Sequence, residues 1–543
     1  MRLHLILAIV TAFLLVLTFR AGHKPRFSFT QVEEAAKKRA QAKYVPLPNV
    51  LPPQLKSLTL EQEYGIFWND TYRLWRKKGL PFQVDFYHVS KAFPHAPPIN
   101  AVDRKGAHPL VYSPAQFRFS GLHFDSPIPE KLGYSGFYLR YPINKPDSLD
   151  GFFSVQGASY LRALAKDQVY GLTARGVALS TEATGKKEEF PDFCEWWLQE
   201  PTPNATEIVL DALLDGPSVT GAYEFKISPG GVTTIQVHAI LYFRQAVDQL
   251  GIAPFSSMYL FGENAKDHFG DNVHPEIHDS DGVLMEKNSK EWIWHPLQQT
   301  KDLQLYSFPD ENPRGFGLIQ RDRDFQHYQD LNTKYNVRPS AWVTPQGNWG
   351  KGTVQLTQLP TNNTNLDNVV LSWHPDQPIK ARDRLDMSYS IDFYMNDATR
   401  PPLAYCKQTL INSPAPPPPL SPPQATPPLA PSKPVLAGPV PTPTPTPAPA
   451  LPKDTVPVQF MLDFVGNGIE NLPANQPPDL ELTCVPPETY LREKKVEKNT
   501  YDNSWRVTFT LIPAKRNVPI DILCHLTHRG KPLTETCTYT WHQ

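Results

Sequence analysis

Two aspartates in the second half of the chain are the strongest candidates for chemistry. Asp279 lies in the segment HDSDG, and Asp367 lies in LDNVV. A pair of carboxyl groups can cut a glycosidic bond, because one protonates the leaving oxygen while the other activates water. Each acid also has a structural interpretation, as a turn former beside glycine or as a cap before an apolar strand. Carboxyl oxygens that open into one groove favour an enzyme, whereas a salt bridge that buries either acid favours a binding protein.

The residues around these acids suit a sugar better than they suit a core. Aromatic faces stack on the C–H surfaces of sugars, and planar charged groups hydrogen-bond to neighbouring hydroxyls. The candidate substrate-binding residues are Tyr160, Arg162, His278, Trp292, Arg323, Asp324, Tyr335, Arg338, Trp342 and Trp349. The structural alternative is that most of the tryptophans are core residues. On that view, Arg323, Asp324 and Arg338 form an internal ion-pair network.

Other chemistries find less support in the sequence. His274 and His278 belong to an HPEIH pattern, which differs from the HExxH of zinc proteases. They are predicted to form hydrogen bonds along a cleft rather than to bind a metal, and no cofactor is expected. The sequence contains neither a GxSxG nor a CxxC motif. With 53 basic and 54 acidic residues, the net charge of -1 argues against a nucleic-acid partner and favours a neutral polymer.

Short alternating strands must position the candidate residues. FQVDFYHV, GFYLRYPI and VTTIQVHAILYFR alternate apolar and polar residues, with turn-forming clusters between such runs. SPGG at Ser228–Gly231 predicts the turn of a β-hairpin. The spacing predicts an all-β protein with a large antiparallel β-sandwich, although periodicity alone does not distinguish a sandwich from a barrel.

The chain divides into five predicted segments. Residues 1–21 carry an apolar run and are predicted to be a signal peptide or an uncleaved N-terminal anchor. Residues 22–60 are an N-terminal extension, with a helix expected at Phe29–Ala42. Residues 61–412 form the large sandwich, and residues 413–453 are a proline-rich linker that cannot build a core. Residues 454–543 alternate again and predict a small, immunoglobulin-like β-sandwich.

Several motifs, taken in order, resemble a known family. HDSDG, EWIW, NPRGFGL, QRDRDFQHYQD, RPSAWV, WGKG and LDNVV resemble the periplasmic glucan biosynthesis proteins G and D. The earlier motifs GFYLRYPI, QGASYLRALAKDQVYGLTARG and EEFPDFCEWWL resemble the same family, and RPSAWVTP is closer to its G members. The resemblance runs roughly from Tyr64 to Asp392. The family joins its domains by a short segment, so the proline-rich linker departs from its pattern.

The resemblance implies a fold and a function. It implies a galactose mutarotase-like sandwich followed by an immunoglobulin-like domain, in a periplasmic protein of osmoregulated periplasmic glucan biosynthesis. It also implies an inverting glycoside hydrolase or transglycosylase acting on β-1,2-glucan, with Asp367 as general acid and Asp279 as general base. The rival hypothesis, from another class, is a non-catalytic glucan-binding partner of the inner-membrane glucan synthase.

Three of the five cysteines lie near the C-terminus. Cys524 and Cys537 are placed symmetrically about the turn at Arg529–Pro532, so they are expected to face each other across a hairpin. In an oxidising compartment this predicts a cross-strand disulfide, with Cys484–Cys524 as the alternative pairing.

Overall fold

The computed structural model describes residues 27–181, 187–412, 456–487, 489–515 and 518–542. The predicted signal peptide or anchor (1–21) and proline-rich linker (413–453) lie outside these residues. Strands dominate the described chain and helices are short, so the predicted all-β class is confirmed. No helix within the described ranges is both long enough and apolar enough to cross a membrane.

Two large sheets form the main sandwich. Within the described residues the first sheet has 10 strands and the second has 15. The first sheet runs in the spatial order Gln83–Tyr87, Gly136–Tyr141, Asp150–Gln156, Tyr160–Ala163, Thr173–Arg175, Leu250–Ser257, Val369–Pro375, Lys351–Gln358 and Gln304–Glu311, with Val177–Leu179 also beside Leu250–Ser257. The second runs Asp479–Val485, Ile520–His528, Thr536–Trp541, Trp292–Pro296, Gly282–Glu286, Gly315–Ile319, Ser340–Gln346, Arg384–Tyr394, Val232–Phe243, Val219–Ser228, Ile208–Asp215, Asp192–Gln199, Ile99–Asp103 and Gly106–Pro109, with Lys531–Pro532 beside Ile520–His528.

Alternate residues of both sheets meet in one apolar core. Phe137 and Phe153 of the first sheet and Phe225 and Ile391 of the second are almost completely buried in the same cluster. Because successive side chains of a strand point to opposite faces, the alternating pattern of the sequence supplies one apolar face per sheet. The hairpin predicted at Ser228–Gly231 is confirmed by the antiparallel pairing of its flanking strands.

The remaining elements are short and lie at the edges of this sandwich. The helices are Phe29–Ala40, Pro53–Lys56, Leu60–Glu63 and Phe325–Tyr328, and the 3-10 turns are Asp70–Tyr72, Arg76–Lys78, Pro114–Gln116, Tyr335–Val337 and Ile469–Asn471. Ile66–Trp68 pairs with Phe117–Phe119, and Tyr259–Phe261 pairs with Ile277–His278. The predicted N-terminal helix is confirmed and ends two residues early. It docks on the second sheet, where the Thr220 hydroxyl donates to the Ala36 carbonyl at 2.8 Å.

A smaller sandwich at the C-terminus shares a sheet with the large one. Its own four-stranded sheet consists of Tyr405–Asn412, Val458–Val465, Trp505–Ile512 and Tyr490–Lys498. Its other layer continues the second large sheet, because Ile293 and Trp294 pair in parallel with Thr536 and Cys537. Arg321 crosses the same junction, with its guanidinium 3.5 Å from the centre of the Trp294 ring. Both guanidinium Nη atoms bond to the buried carboxylate of Glu535 at 2.6 and 2.7 Å.

The strand before the proline-rich tract belongs to this smaller sandwich. Tyr405–Asn412 pairs antiparallel with Val458–Val465, and Asn412 lies opposite Gln459. The sequence analysis assigned residues up to 412 to the large sandwich, because alternation indicates a strand without indicating its partner. The residues that flank the tract are therefore neighbours in one sheet.

The predicted facing of Cys524 and Cys537 is confirmed, because the two are direct partners across an antiparallel pair. Both are free thiols in this structure, as are the other three cysteines, so the predicted disulfide is absent. The two thiols are buried in the core of the small sandwich, where a cysteine packs as a small apolar side chain.

Candidate functional site

Both candidate acids are attached to the segment Met258–Tyr259, Asp279 by its own backbone and Asp367 through the next residue, Asn368. The N–H of Asp279 donates to the carbonyl oxygen of Met258 at 2.8 Å. The side chain of Asn368, the residue after Asp367, accepts from the Tyr259 N–H at 2.8 Å and donates to the Tyr259 carbonyl at 3.0 Å. Two acids that are distant in sequence are thereby attached to consecutive residues of one strand edge.

Asp279 lies on the inner side of the site and is only 5% exposed. Its carboxylate pairs with the Arg338 guanidinium through Oδ1 and Nη1. Burial raises the pKa of Asp279, the charge of Arg338 opposes the rise, and the charge of Asp367 adds to it. Arg338 can approach because position 171 is glycine, where a Cβ would lie 3.0 Å from the Arg338 Cβ.

Asp367 lies on the exposed loop 359–368, between the strands Lys351–Gln358 and Val369–Pro375. Within the described chain its carboxylate has no hydrogen-bond or ion-pair partner. The residue keeps solvent-accessible surface, yet surrounding protein desolvates the carboxyl group, which raises its pKa against the opposing charges of Arg162, Arg175 and Arg338. The protonated form of Asp367 is therefore favoured relative to a free aspartate.

Three arginines and a tyrosine complete the polar surface around the acids. Arg162 acts electrostatically on both Asp279 and Asp367, and its Nε is fixed by a 3.0 Å hydrogen bond to the Thr173 hydroxyl. Arg175 lies behind this surface: it is buried, its Nη2 donates to Glu188 Oε1 at 2.7 Å, and its guanidinium lies 5.4 Å from the centre of the Tyr160 ring. Burial raises the pKa of Tyr160, Arg175 opposes the rise, and Asp367 adds to it. These interactions connect Tyr160 to the surroundings of Asp367.

An apolar cluster supports Asp279 from below, and we call it the floor. Its buried members are Met258, Leu260, Phe261, Ile277, Tyr328 and Tyr335. Tyr335 lies under Arg338, whose guanidinium carbon is 4.3 Å from the ring centre. The structure thus groups six of the residues predicted from sequence: Asp279, Asp367, Tyr160, Arg162, Tyr335 and Arg338.

His278 was predicted to bind substrate, but it is a buried residue beside the floor. Its ring is 1% exposed and stacks on Tyr259, with 5.2 Å between ring centres. Its Nε2 lies 2.9 Å from Glu276 Oε2, and its Nδ1 lies 3.1 Å from Gln320 Oε1. Burial disfavours the charged ring, but Asp281 and Glu276 outweigh burial and raise the pKa of His278 to about 9. A ring so enclosed cannot contact a polymer in the groove.

Arg323 and Asp324 have structural roles, as their alternative interpretation proposed, although not as one ion-pair network. Arg323 donates to the carbonyl oxygens of Asn336 at 3.1 Å and Met395 at 2.7 Å. Asp324 caps the short helix Phe325–Tyr328 by accepting from the Gln326 N–H at 2.9 Å. Both residues shape the loop that leads to Arg338.

The three candidate tryptophans also pack in cores. Trp292 and Trp342 stack on each other, 5.5 Å apart, in the cluster that joins the two sandwiches. Trp349 packs against the main core beside Trp373 and Tyr389. Trp292 and Trp342 lie on strands, and Trp349 lies in the turn between Ser340–Gln346 and Lys351–Gln358.

Sequence reasoning missed Arg175 and Asn368. Arg175 lies in the motif QVYGLTARG, and Asn368 directly follows the predicted acid. Asn368 could have been suspected because it directly follows Asp367 in sequence. Nothing in the local sequence indicates Arg175, which comes near the site only through the fold.

Among the residues that the structure describes, two sets of side chains have donor atoms close enough to hold a metal ion. They are Glu276, His278 and Asp281, and Glu276, Asp322 and His327, with donor atoms of each set within 4.8 Å of one another. The buried histidine of the first set is already hydrogen-bonded to Glu276, which explains that cluster without a metal. The hydrogen bond of His274 Nδ1 is to Asp271, at 2.7 Å.

Comparisons with known proteins identify the family to which the sequence is related. The sequence profile described as "Periplasmic glucan biosynthesis protein, MdoG" matches residues 27–541. The chain is 36% identical to the Glucans biosynthesis protein G of Sodalis glossinidius, over 96% of this chain and 95% of that protein. The namesake from Ralstonia nicotianae is also 36% identical, over 94% and 95%. The one from Pseudomonas syringae is 40% identical over 74% of this chain, which spans only 63% of that relative.

Among solved structures, a polysaccharide lyase aligns with 69% of this chain and 40% of its own, at 8% identity. Its TM-score is 0.19, which is too low to bear on fold or function.

The protein is therefore a β-sandwich with carboxylates and arginines at its candidate site, and its sequence matches one family over nearly the whole chain. The chain belongs to the family of periplasmic glucan biosynthesis proteins, and its role is in glucan biosynthesis in the periplasm.

Proposed function

We propose that this protein is an inverting glycoside hydrolase or transglycosylase that acts on β-1,2-linked glucan. The observation that carries the proposal is the arrangement of Asp279 and Asp367 on one strand edge, electrostatically coupled and surrounded by arginines. Coupled carboxyl groups whose environments differ are typical of acid–base pairs. The members of the family named above are glucan biosynthesis proteins, which fits a sugar polymer as substrate.

Asp367 is proposed as the general acid. An acid must keep its proton until it transfers it to the leaving oxygen, and a raised pKa serves this need. Its position on an exposed loop, with no protein hydrogen bond in the described chain, leaves the carboxyl group free to meet a glycosidic oxygen.

Asp279 is proposed as the general base. A base must be ionised to accept a proton from water, and Arg338 opposes the effect of burial on its charge. An inverting mechanism needs space for that water between the two carboxyl groups. Arg162, Arg338 and Tyr160 would then bind sugar hydroxyls around this point, while the buried Arg175 contributes its charge.

The same proposal includes the route to the substrate. Residues 1–21 act as the export signal or as an anchor, and the glucan comes from an inner-membrane glucan synthase. Such a location would put the groove next to newly made polymer.

The test is the cleavage of linear β-1,2-glucan by the wild type, Asp367→Asn and Asp279→Asn. Each variant should lose on the order of a hundred- to ten-thousand-fold in rate, because each removes one proton-transfer group. Asp376→Asn is the matched control and should keep full activity. Asp376 is an exposed acid just beyond the strand Val369–Pro375, which follows Asp367. NMR during cleavage should show inverted configuration at the new reducing end. Retained configuration excludes Asp279 as the base, and full activity of Asp367→Asn excludes Asp367 as the acid.

A non-catalytic glucan-binding protein is the second candidate function. The ion pair between Arg338 and Asp279 favours it, because it engages a carboxylate that a hydrolase needs for water. This candidate predicts that the wild type binds β-1,2-glucan without cleaving it and that Asp367→Asn binds equally well.

A further inference from the structure

We propose that a cavity beside Tyr160 is a second sugar-binding subsite, which holds a glucosyl residue of the glucan away from the point of cleavage. The inference rests on the proposed function, because it extends the same polymer beyond the two acids. The cavity has a volume of about 270 Å³. One water molecule needs only about 10–15 Å³ of such space, so the cavity admits a ligand much larger than water.

The walls of this cavity combine apolar surface with polar groups. The half-buried rings of Phe93 and Tyr160 provide aromatic surface, while Gln156 and Asp192 provide polar groups. A rigid aromatic surface with a few polar groups is the combination that binds the C–H face and the hydroxyls of a sugar ring.

Two of these polar groups have capacity left for a ligand. The amide nitrogen of Gln156 donates to the Ser135 hydroxyl at 2.9 Å, which leaves its carbonyl oxygen able to accept. Within the described chain, Asp192 has no side-chain hydrogen bond or ion pair. Its carboxylate can accept hydrogen bonds from two neighbouring hydroxyls of one sugar.

The charges near the cavity favour a neutral ligand over an anion. Burial raises the pKa of Asp192, the charge of His95 opposes the rise, and the charge of Asp215 adds to it. The Nδ1 of His95 lies 3.0 Å from the Pro48 carbonyl, so this ring is committed to the wall. A phosphate or carboxylate would meet like charges here, whereas a hydroxyl would donate to them.

Tyr160 connects the cavity to the acids. Tyr160 lines the cavity. Burial raises the pKa of Tyr160, and the charge of Asp367 adds to this rise. A single polymer that passes over Tyr160 can therefore reach both places. The turn beside it is fixed, because Gly157 has φ +73° and a Cβ there would lie 2.7 Å from the Phe93 ring.

The test uses the full chain with β-1,2-glucooligosaccharides of increasing length. Asp192→Asn and Gln156→Ala should each weaken the binding of long oligosaccharides by about tenfold, measured calorimetrically in the Asp367→Asn background. In otherwise wild-type protein they should leave the cleavage of the shortest cleavable oligosaccharide unchanged. Ala92→Trp, which fills the cavity from an exposed position without removing a polar group, should have the same effect. Asp147→Asn, which changes an exposed acid in the turn before the strand Asp150–Gln156, is the matched control.

The outcomes separate this inference from the proposed function. If the wild type cleaves glucan but all three cavity variants bind long oligosaccharides like the control, the subsite is wrong and the enzyme stands. If the wild type cleaves nothing but the cavity variants still weaken the binding of long oligosaccharides alone, the subsite stands in a binding protein. Equal weakening for short and long oligosaccharides overturns the subsite, because it shows a general disturbance of the groove.

Discussion

The two proposed catalytic acids lie in contrasting parts of the molecule. Asp279 rests on the apolar floor and is paired with Arg338, so its geometry is fixed by packing and charge. Asp367 is carried by the exposed loop 359–368 and depends on its neighbour Asn368 for attachment. The proposed base is thus positioned by interior packing and an ion pair, whereas the proposed acid depends on one side-chain anchor. Each of these supports can be removed separately.

Removing the support of Asp279 should have the largest effect. In Arg338→Met the carboxylate loses its ion pair while it stays buried, so its pKa rises further. Activity that requires ionised Asp279 is lost as the pH falls through that pKa, so the acidic limb of the pH–rate profile moves to higher pH. We expect on the order of a hundredfold loss at neutral pH. The basic limb, set by Asp367, should move less, because Arg162 and Arg175 still act on it.

A profile in which both limbs of Arg338→Met move equally would show that Arg338 does not distinguish the two acids. Arg382→Met, which removes an exposed arginine on a turn beyond the strand after Asp367, is the control for the loss of a charge.

Removing the anchor of Asp367 should have a smaller effect. Asn368→Ala loses both hydrogen bonds to Tyr259 and a third to the Leu359 carbonyl at 2.8 Å, so the loop can move relative to the floor. We expect about a tenfold fall in kcat, because the acid is less well placed against the leaving oxygen while it keeps its ionisable group. The pH–rate profile should keep its shape. Asn365→Ala, in the same loop, should behave like the wild type in the same assay.

The ionisation of His278, which lies beside the floor, can be tested separately from the two acids. Its pKa is raised from 6.5 to about 9 in the folded protein, so the stabilisation is complete below about pH 6.5 and is lost as the pH rises through 9. The melting temperature should therefore fall between these pH values. His278→Gln should be less stable at pH 6 and should lose most of this decline. A wild-type melting temperature that stays level from pH 6.5 to 9 would contradict the charged state of His278.

The smallest effect is expected from a change that touches neither acid. Deletion of residues 416–449 should leave the thermal unfolding of the protein nearly unchanged, since a proline-rich tract buries little apolar area. Differential scanning calorimetry measures this. A loss of more than roughly 1 kcal/mol in stability, the size of an ordinary contact, would show that the tract docks on a sandwich.

The strands of this protein were predictable because each carries its own alternating pattern. Val219–Ser228 and Val232–Phe243, with the SPGG turn between them, form as the sequence predicts. The partner of a strand is less predictable. Tyr405–Asn412 alternates like its neighbours, but its pairing with Val458–Val465 across the proline-rich tract is a long-range choice.

The candidate site shows the same division between local and distant information. The resemblance to the family indicated Asp279 and Asp367, and the pattern of charged residues around them indicated Arg338. It did not indicate which tryptophans face the core, because Trp292 and Trp342 take their environment from the junction of two sandwiches. The burial of His278 was not predictable from its neighbours in sequence, because residues distant in sequence enclose it.

The pairing of Asn412 with Gln459 has a consequence for how this protein tolerates change in length. Adjacent strands lie about 4.8 Å apart, so the chain leaves and re-enters one sheet at neighbouring positions. The cost of closing such a connection rises by only about 0.6 kcal/mol when its length doubles. Repeats of proline and threonine can therefore be gained or lost there without altering the spacing of the two sandwiches. The same position is suited to a foreign insert, such as an epitope or a fluorescent domain, whose ends lie close together.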